Sequence, residues 1–519
     1  MIRIATTGRL ATAAAHTEAA LAVHAPHLVD GFLNHLPTAA DTVGRRLRAA
    51  LVREDLTPET PGGHRHAFHR VEYPDAGVAD PVDLLTGIDT TGSFAAEIRN
   101  AVLNLAIAHA RARDNLPTAT DPDTTAVRLE RLAVAGHNLH PCGRTRLGWD
   151  TTDVLAHDLE AGHTRIHFIA VRDDTHLGDD IGATLGLHPD RPGYRLQPVH
   201  AWQLDTVRTR YADLFTDGTL HHSDHHLDAI PTAALRTLLL PDGHYLKLSL
   251  DIQVTSTRRS ISVASTRNGP ALSTLLTHLL DDDPDGHRIL LMTEPAGAAV
   301  PAGTGRDLSA ITRTGLTGRL HPHETPIPGG ALPHLIGDLV DQTGTNPATW
   351  LTDYTRLLLP PLLRLLTHGI ALEAHLQNCI PTFLNGHPHR LALRDLAGLR
   401  LHPGRLTRAG HTIDLWPGSV ITTTDTETLR AKLAYTALQA HLGELVIRLG
   451  HTHNLDEQLA WRLIRTVVDD TYDTLHHHDT ATDDHRWFTA DTVPHKALVR
   501  MRLAGTGDIH IPVGNPLHD

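Results

Sequence analysis

Residues 245–259 read Tyr-Leu-Lys-Leu-Ser-Leu-Asp-Ile-Gln-Val-Thr-Ser-Thr-Arg-Arg, and this stretch decides the fold of the middle of the chain. Apolar and polar residues alternate along it as far as Val254, and a period of two predicts a β-strand. One face of the strand would carry Lys247, while the leucines pack the core. Hydroxyl residues 255–257 and the pair Arg258–Arg259 follow, which suits a polyphosphate, because lysine supplies a point charge and arginine a fork for phosphate oxygens. An ordinary half-exposed strand is the alternative.

The rest of the chain indicates mixed architecture. Residues 1–115 are rich in alanine and leucine at helical spacing, and the polar residues 117–125 predict a boundary. Further strands are predicted at 164–171 and 288–293, a helix from 351 to about 378, and mainly helix from 426 onward. Asn385-Gly386, the strongest short turn signal, predicts a hairpin of 379–384 with 390–394. We therefore predict an α+β fold of several lobes with a helical N-terminal region.

A second cluster occupies residues 136–148, which read Gly-His-Asn-Leu-His-Pro-Cys-Gly-Arg-Thr-Arg-Leu-Gly. Two histidines, two arginines and a threonine stand among proline and glycine, as in a rigid loop that presents donors to phosphate. The competing interpretation is a surface loop in a histidine-rich protein.

A third cluster is Glu-Ala-His-Leu-Gln-Asn at 373–378, followed after the predicted hairpin by Arg394-Asp395. Carboxylates and an amide brought together in this way suit Mg²⁺, which prefers oxygen ligands and shares its shell with phosphate. A capped helix end with a buried Arg394–Asp395 ion pair is the alternative. The order His368-Gly369, Asn378 and Asp395 also has some similarity to small-molecule kinases, although a glycine-rich loop and a catalytic-base aspartate are missing.

Composition excludes several classes of protein. The 519 residues carry a formal net charge of −13, which argues against non-specific electrostatic binding to nucleic acid or to an acidic membrane. No apolar run is long enough to cross a bilayer, and the first residues do not resemble a signal peptide. The two cysteines, Cys142 and Cys379, favour a reducing cytoplasm and small apolar packing over a disulfide or a thioester role.

Histidine is so abundant that histidine clusters alone indicate little. There are 42 histidines, and we interpret the clusters at 221–226 and 476–478 as surface features and not as metal sites.

Taken in order, the three clusters resemble motifs of the IucA/IucC-like, aerobactin-synthetase type family of siderophore synthetases that work without a nonribosomal peptide synthetase. Residues 137–148 are similar to its His-Pro-x-His-Pro-x-x-Lys-x-Arg-x-Gly block, residues 247–259 to its Lys-x-Ser block, and residues 373–378 to its Glu-x-His-x-Gln-Asn block. Residues 496–503 and 515–517 resemble its closing segment. Asn138, Arg144 and Ala234 depart from the family pattern.

The resemblance implies a cupped-hand synthetase with a helical thumb at 1–120, nucleotide-binding fingers at 121–350 and a palm at 351–519. It implies adenylation of citrate or another di- or tricarboxylate with ATP and Mg²⁺, condensation with an amine or hydroxyl, and a homodimer. The alternatives are a kinase-like phosphotransferase and a non-catalytic siderophore accessory protein such as a reductase, which would need cysteines after Cys379.

The resemblance also implies roles for individual residues, which we state as expectations. Catalytic roles fall to His140, Lys247, Arg259 and His375. Nucleotide contacts fall to Arg144, Arg146, Arg236, Lys247, Thr255, Ser256, Arg259 and Asn378. Substrate contacts fall to Glu373, His375, Gln377 and Arg394, and Mg²⁺ ligation to Glu373 and Asp395.

Overall fold

The structure is a computed structural model that describes residues 8–88, 93–112, 114, 116–255, 257–303, 305–475, 478, 480–505 and 507–518. The N-terminal part is helical, as predicted. Its elements are α1 (Arg9–His24), α2 (Val29–Arg53), the short strands β1 (His64–Arg65) and β2 (Val71–Glu72), and α3 (Ser93–Ala110). Phe32, Leu47 and Phe94 are buried where α2 packs on α3.

The middle of the chain builds an antiparallel sheet and the helices around it. Its elements are α4 (Pro122–Glu130), α5 (Thr151–His157), β3 (Thr164–Arg172), β4 (Leu177–Gly178), α6 (Ile181–Thr184), β5 (Tyr194–His200), α7 (Ala201–Arg210), α8 (Ala212–Thr216), β6 (Leu220–Pro231), β7 (Thr237–Leu239), β8 (Tyr245–Leu248), β9 (Leu250–Val254), β10 (Thr257–Arg259), α9 (Val263–Asp281), β11 (Ile289–Leu291), β12 (Gly297–Ala299), β13 (Ser309–Arg313), β14 (Thr325–Pro326) and α10 (Leu332–Thr343). Eight strands pair in the order β4-β12-β13-β8-β7-β6-β3-β5.

The C-terminal part packs around one long buried helix. Its elements are α11 (Pro347–Thr367), β15 (Ile370–Ala371), β16 (Cys379–Leu384), β17 (His387–Leu393), β18 (Arg400–Leu401), α12 (Pro403–Arg408), α13 (Thr426–Leu433), a π-helical continuation (Ala434–Leu442), α14 (Gly443–His453), α15 (Glu457–Thr474), α16 (Ala481–Phe488), β19 (Thr492–Lys496), α17 (Leu498–Ala504) and β20 (His510–Gly514). A second sheet has the order β11-β17-β16-β14, so β11 and β14 from the middle of the chain complete the hairpin predicted at Asn385-Gly386.

The predicted α+β class is confirmed, and two local predictions are wrong. The predicted strand 245–254 is two strands that break at Ser249, where β8 stays in the large sheet and β9 leaves to pair with β10. The predicted helix to 378 ends at Thr367, because Gly369 adopts a φ of +94° and the chain turns into β15. The prediction of mainly helix from residue 426 onward is confirmed, and the strands β19 and β20 interrupt it near the end.

The interpretation of the histidine clusters is tested only in part. Strand β6 carries the cluster at 221–226, where His222 and His226 are exposed. The cluster at 476–478 lies mostly outside the described residues. No helix in the part of the chain that the structure describes is long and apolar enough to span a membrane.

Candidate active site

A buried lysine and an aspartate form the centre of the site. Lys247 lies on β8 with only 1% of its surface exposed, and its Nζ is 2.6 Å from Oδ1 of Asp395, which follows β17. Arg313 on β13 lies 3.8 Å from the same oxygen and 2.8 Å from Glu294. Burial lowers the pKa of Lys247, although Asp395 opposes this effect. Burial would raise the pKa of Asp395, but Lys247 and Arg313 outweigh it and hold that pKa well below its usual range.

Two arginines add to this positive charge. Arg236, in the loop between β6 and β7, donates from Nη1 to the carbonyls of Arg259 and Ser260 at 2.9 and 3.0 Å. The hairpin β9–β10 holds Arg259 through Nη2, which donates to the carbonyl of Val254 and to Thr255 Oγ1 at 3.2 and 3.1 Å. Burial lowers the pKa of Arg259 to about 10, and the nearby charge of Arg236 adds to this. The structure thus gathers Lys247, Arg236 and Arg259, as the sequence predicts, whereas Ser256 lies outside the described residues.

The loop 136–148 brings the buried His140 and the partly exposed His137 beside these cations. His140 Nδ1 accepts the backbone N–H of Cys142 at 2.9 Å, which places the ring proton of neutral His140 on Nε2. Burial lowers the pKa of His140 to about 3, with further contributions from Arg502, Arg259 and Arg46. His140 is therefore a neutral donor at physiological pH and not an imidazolium.

The two arginines of this loop are held in a buried ion-pair network. Arg144 lies 2.6 Å from Glu160 and 3.3 Å from Asp158, and Arg146 lies 3.0 Å from Asp158. A pair of buried carboxylates thus takes up much of their charge, so both side chains anchor the loop. Their predicted contacts with nucleotide stay predictions.

The third cluster forms a loop after β15 instead of a helix end. Glu373 Oε1 lies 2.7 Å from Nζ of Lys432 on α13. Burial would raise the pKa of Glu373, but Lys432 and His375 outweigh burial and lower it. Asn378 fixes the loop by donating from Nδ2 to the carbonyl of Glu373 at 3.0 Å. The ring of His375 lies 6.5 Å from that of His137, so this loop adjoins the loop 136–148.

Arg394 and Asp395 point to different partners, so the alternative of an ion pair between them is wrong. Arg394 Nη2 lies 2.5 Å from Glu130 Oε1, and the other oxygen of Glu130 accepts the N–H of Ala233 at 2.7 Å. Arg394 Nε donates to the carbonyl of Gln377, whose side chain is exposed. Arg394 therefore links the loop that contains Gln377 to Glu130, and through Glu130 to the loop that contains Ala233.

Glu373 and Asp395 form the carboxylate pair that a magnesium ion would need. Each contacts a lysine through one oxygen, and the other oxygen accepts no hydrogen bond from the described residues. Glu373 Oε2 lies against Gly398, three residues after Asp395, and the negative charge of Asp395 acts to raise the pKa of Glu373. Two neighbouring hard oxygen donors beside a cationic pocket fit Mg²⁺ that is shared with phosphate.

An arginine-lined cavity of about 320 Å³ opens on the other face of the loop 136–148. Its walls include Arg53, Arg70 and Arg448, and also Arg46, which donates to the carbonyls of Ala135 and His137 at 2.7 and 2.9 Å. Arg53 is 8% exposed and forms no hydrogen bond or ion pair with any residue that the structure describes. Burial lowers the pKa of Arg53 to about 9 and that of Arg46 to about 10. The cavity therefore holds positive charge that the described residues leave unbalanced.

Sequence reasoning missed several of these residues. The missed groups are Arg46, Arg53, Glu130, Glu294, Arg313 and Lys432. Only Lys432 carried a usable signal, because it is one of just three lysines in the chain.

Comparisons with known proteins agree with the motifs. The sequence model of the IucA / IucC family matches residues 125–334, the segment that contains the first two sequence clusters. A second model, that of a ferric iron reductase FhuF-like transporter, matches residues 348–509. That segment contains a single cysteine, the buried Cys379, whereas iron–sulfur clusters need several thiolates.

The individual relatives have low sequence identity to this chain but match most of its length. D-ornithine--citrate ligase of Staphylococcus aureus is 24% identical over 76% of this chain and 70% of that protein. The petrobactin biosynthesis protein AsbB of Bacillus anthracis matches 99% of this chain and 98% of its own, with a TM-score of 0.78 and 18% identity. ATP-bound aerobactin synthetase IucA of Klebsiella pneumoniae matches 92% of this chain and 99% of its own, with a TM-score of 0.73 and 18% identity. The fold is therefore that of these synthetases.

Proposed function

We propose that this protein adenylates a polycarboxylic acid with ATP and condenses the activated acid with an amine, in siderophore or related natural-product synthesis. The observation that carries the proposal is the position of the loop 136–148 between two positive pockets. His140 experiences the charges of both Arg259, in the first pocket, and Arg46, in the second. Glutamates line the second pocket too, but Glu54 accepts backbone N–H groups and Glu444 pairs with Arg70 and Arg448, so the two pockets suit different anions.

The first pocket suits the nucleotide. Lys247, Arg236 and Arg259 would hold phosphate oxygens, and fixed positive charge at that place stabilises the charge that develops as pyrophosphate leaves. Glu373 and Asp395 would hold Mg²⁺, which neutralises phosphate charge when bound. Neutral His140 would donate a hydrogen bond from Nε2. A solved relative of the same fold is described as ATP-bound, which supports nucleotide use.

The second pocket suits an acid with more than one carboxylate. Arg53 and Arg46 both lack a carboxylate partner among the described residues, and a guanidinium pairs with a carboxylate in a bidentate manner. Relatives named as citrate ligases favour a tricarboxylate as the substrate.

The proposed reaction has two steps. A carboxylate oxygen attacks the α-phosphorus of ATP, the bond to the bridging oxygen breaks, and pyrophosphate leaves. The amine nitrogen then attacks the acyl carbon, AMP leaves with the bond electrons, and the nitrogen loses a proton to solvent. The protein needs no covalent nucleophile, because positioning of the two reactants supplies much of the rate.

The test is an assay with the full chain, Mg·ATP, hydroxylamine as a surrogate amine, and citrate, succinate or α-ketoglutarate. We expect AMP, pyrophosphate and a hydroxamate that depend on the acid, and we expect Lys247→Ala to abolish them. ADP in place of AMP would replace the proposal with phosphoryl transfer. Absence of turnover with every acid, in protein whose ATP binding is demonstrated, would contradict it.

Two further parts of the proposal concern the setting of the enzyme. ATP as a substrate and two buried free thiols suit the cytoplasm. We also propose a homodimer, which light scattering on the purified chain would test.

A further inference from the structure

We propose that His66, Glu72 and His451 form a binding site for one divalent transition-metal ion of the Zn²⁺ type, which joins the N-terminal hairpin to the C-terminal helices. The inference does not depend on the proposed ligase activity. His66 follows β1, Glu72 lies on β2 and His451 lies on α14. Their donor atoms all lie within 4.8 Å of one another.

The spacing of the donors is that of tetrahedral ligands. Glu72 Oε2 lies 3.4 Å from His66 Nε2 and 3.2 Å from His451 Nε2. Zinc bonds to nitrogen and oxygen of about 2.0–2.1 Å at tetrahedral angles separate two ligand atoms by about 3.3 Å. Two imidazoles and a carboxylate leave one position for water or a further ligand. His64 stands opposite Glu72 in the β1–β2 pair, and its ring centroid lies 4.6 Å from that of His66, so it is a candidate for that position.

The geometry of His66 indicates a ligand. Its side chain is only 5% exposed, and its Nε2 is buried without a hydrogen-bond partner among the residues that the structure describes. Its Nδ1 lies 2.8 Å from Glu457 Oε2. A ring that donates Nδ1–H to this carboxylate has its lone pair on Nε2, directed at Glu72 and His451. Histidine ligands of metals show this pattern, because a carboxylate on the other nitrogen fixes the tautomer and raises the basicity of the donor.

Glu457 is itself fixed in place. Its Oε1 accepts the N–H of Ala67 at 2.8 Å and lies 3.4 Å from Trp461 Nε1, and the Trp461 ring packs against Phe68 at 5.1 Å. The carboxylate that orients His66 is therefore held between the segment after β1 and α15, the helix that follows α14. A proton is the competing occupant, and it would make His66 an imidazolium between Glu72 and Glu457.

The chain also offers an internal contrast. His321, Glu324 and His389 have similar spacing, but the Glu324 carboxylate accepts from Arg390 Nε and Nη2, Thr382 Oγ1 and the N–H of His321. Two donors on each oxygen leave no lone pair for an ion. Glu72 differs, because among the described residues its Oε2 pairs with the two histidines alone, while Arg70 lies 3.8 Å from Oε1.

The experiment removes metal from the full chain with a chelator and titrates it with ZnCl₂ against a chromophoric competitor, and in parallel with CoCl₂. We expect one tight site per chain and the visible absorption of tetrahedral Co²⁺. His451→Ala, at a half-exposed position, and Glu72→Gln should both lose this site, and Glu457→Gln should weaken it by about 10–100-fold. His389→Ala is the matched control and should bind like the wild type.

Unfolding gives a second readout that requires no enzyme activity. Zinc should raise the unfolding midpoint of the wild type and of His389→Ala but not that of His451→Ala. Equal zinc affinity in the wild type and His451→Ala would overturn the proposal, because weak surface histidines would then explain all binding. Absence of a tight site in the wild type would overturn it as well and leave the proton as the occupant.

Discussion

Arg258 and Arg259 are neighbours in sequence that differ in environment, and they provide a matched test of the nucleotide pocket. Arg259 is half-buried and close to Arg236, whereas Arg258 is exposed and pairs with Asp251 at 2.6 Å. We expect Arg259→Ala to lower kcat/KM for acid-dependent pyrophosphate release by about 10–100-fold, because a charge-assisted hydrogen bond contributes about 1.5–3 kcal/mol. Arg258→Ala should change it less than about threefold. Equal losses in both variants would contradict the assignment.

Arg53 gives a prediction in which stability and binding change in opposite directions. Burial lowers the pKa of Arg53 to about 9, which means that the folded state disfavours its charge. Arg53→Met removes that charge, so the free energy of unfolding of the free protein should rise by on the order of 1 kcal/mol. Citrate affinity should fall about tenfold or more, because a carboxylate loses its bidentate partner. Denaturant unfolding and calorimetric titration measure the two effects.

Arg45 is the control for that prediction, since it lines the same cavity. Its side chain is 41% exposed and pairs with Asp41 at 2.9 Å. Arg45→Met should leave both quantities almost unchanged. A loss of stability in Arg53→Met with unchanged citrate affinity would show that Arg53 has a packing role and that the cavity binds no acid.

At the scale of elements, a short 3₁₀ turn at Leu396–Gly398 determines where the Glu373 carboxylate lies. A Cβ at Gly398 would stand 1.9 Å from Glu373 Oε2, so only glycine allows this approach. We expect Gly398→Ala to displace the carboxylate, raise the Mg²⁺ requirement and lower kcat by about 100-fold, the usual cost of a 1 Å misplacement. Gly507→Ala, where a Cβ would meet nothing within 4 Å, is the control. Unchanged Mg²⁺ dependence in Gly398→Ala would exclude Glu373 as a ligand.

The helices and strands also show which element boundaries local sequence signals can predict. Asn385-Gly386 correctly predicted the hairpin, since the residues of a tight turn select its backbone geometry. The helix end at Thr367 was missed, although Gly369 supplied a stop signal that outweighs continued apolar spacing. The break at Ser249 had no local sequence signal, because apolar and polar residues alternate in the same way along one continuous strand and along two consecutive strands. That break depends on which neighbour each half pairs with, and pairing is a tertiary property.

At the scale of the whole molecule, the motifs predicted several of the groups that the structure gathers around Lys247 but not how those groups are paired. Lys247 and Asp395 are 148 residues apart, and Lys432 and Glu373 are 59 apart. Such contacts follow from the packing of whole elements. The arginine cavity escaped sequence reasoning for the same reason, since its walls come from α2, from β2 and from α14. A residue such as Arg53 looks like any exposed helical arginine until those elements are placed together.

Helix α17, near the C-terminus, packs against the N-terminal helices, and this contact yields the last prediction. Helix α17 places the fully buried Val499 in the N-terminal core. On the same helix, Nε of Arg502 lies 3.0 Å from Oε2 of Glu97 on α3. The side chain of Glu97 is only 1% exposed. Removal of Arg502 leaves that carboxylate buried without its partner, so Arg502→Met should lower the free energy of unfolding by about 2–3 kcal/mol. Glu97→Gln combined with Arg502→Met should recover part of the loss, because no uncompensated charge is then left. Arg486→Ala breaks an exposed pair with Asp483 and should cost less than about 1 kcal/mol in the same urea titration. If Arg502→Met cost no more than Arg486→Ala, the C-terminal helix would be an appendage to the N-terminal helices and not part of their core.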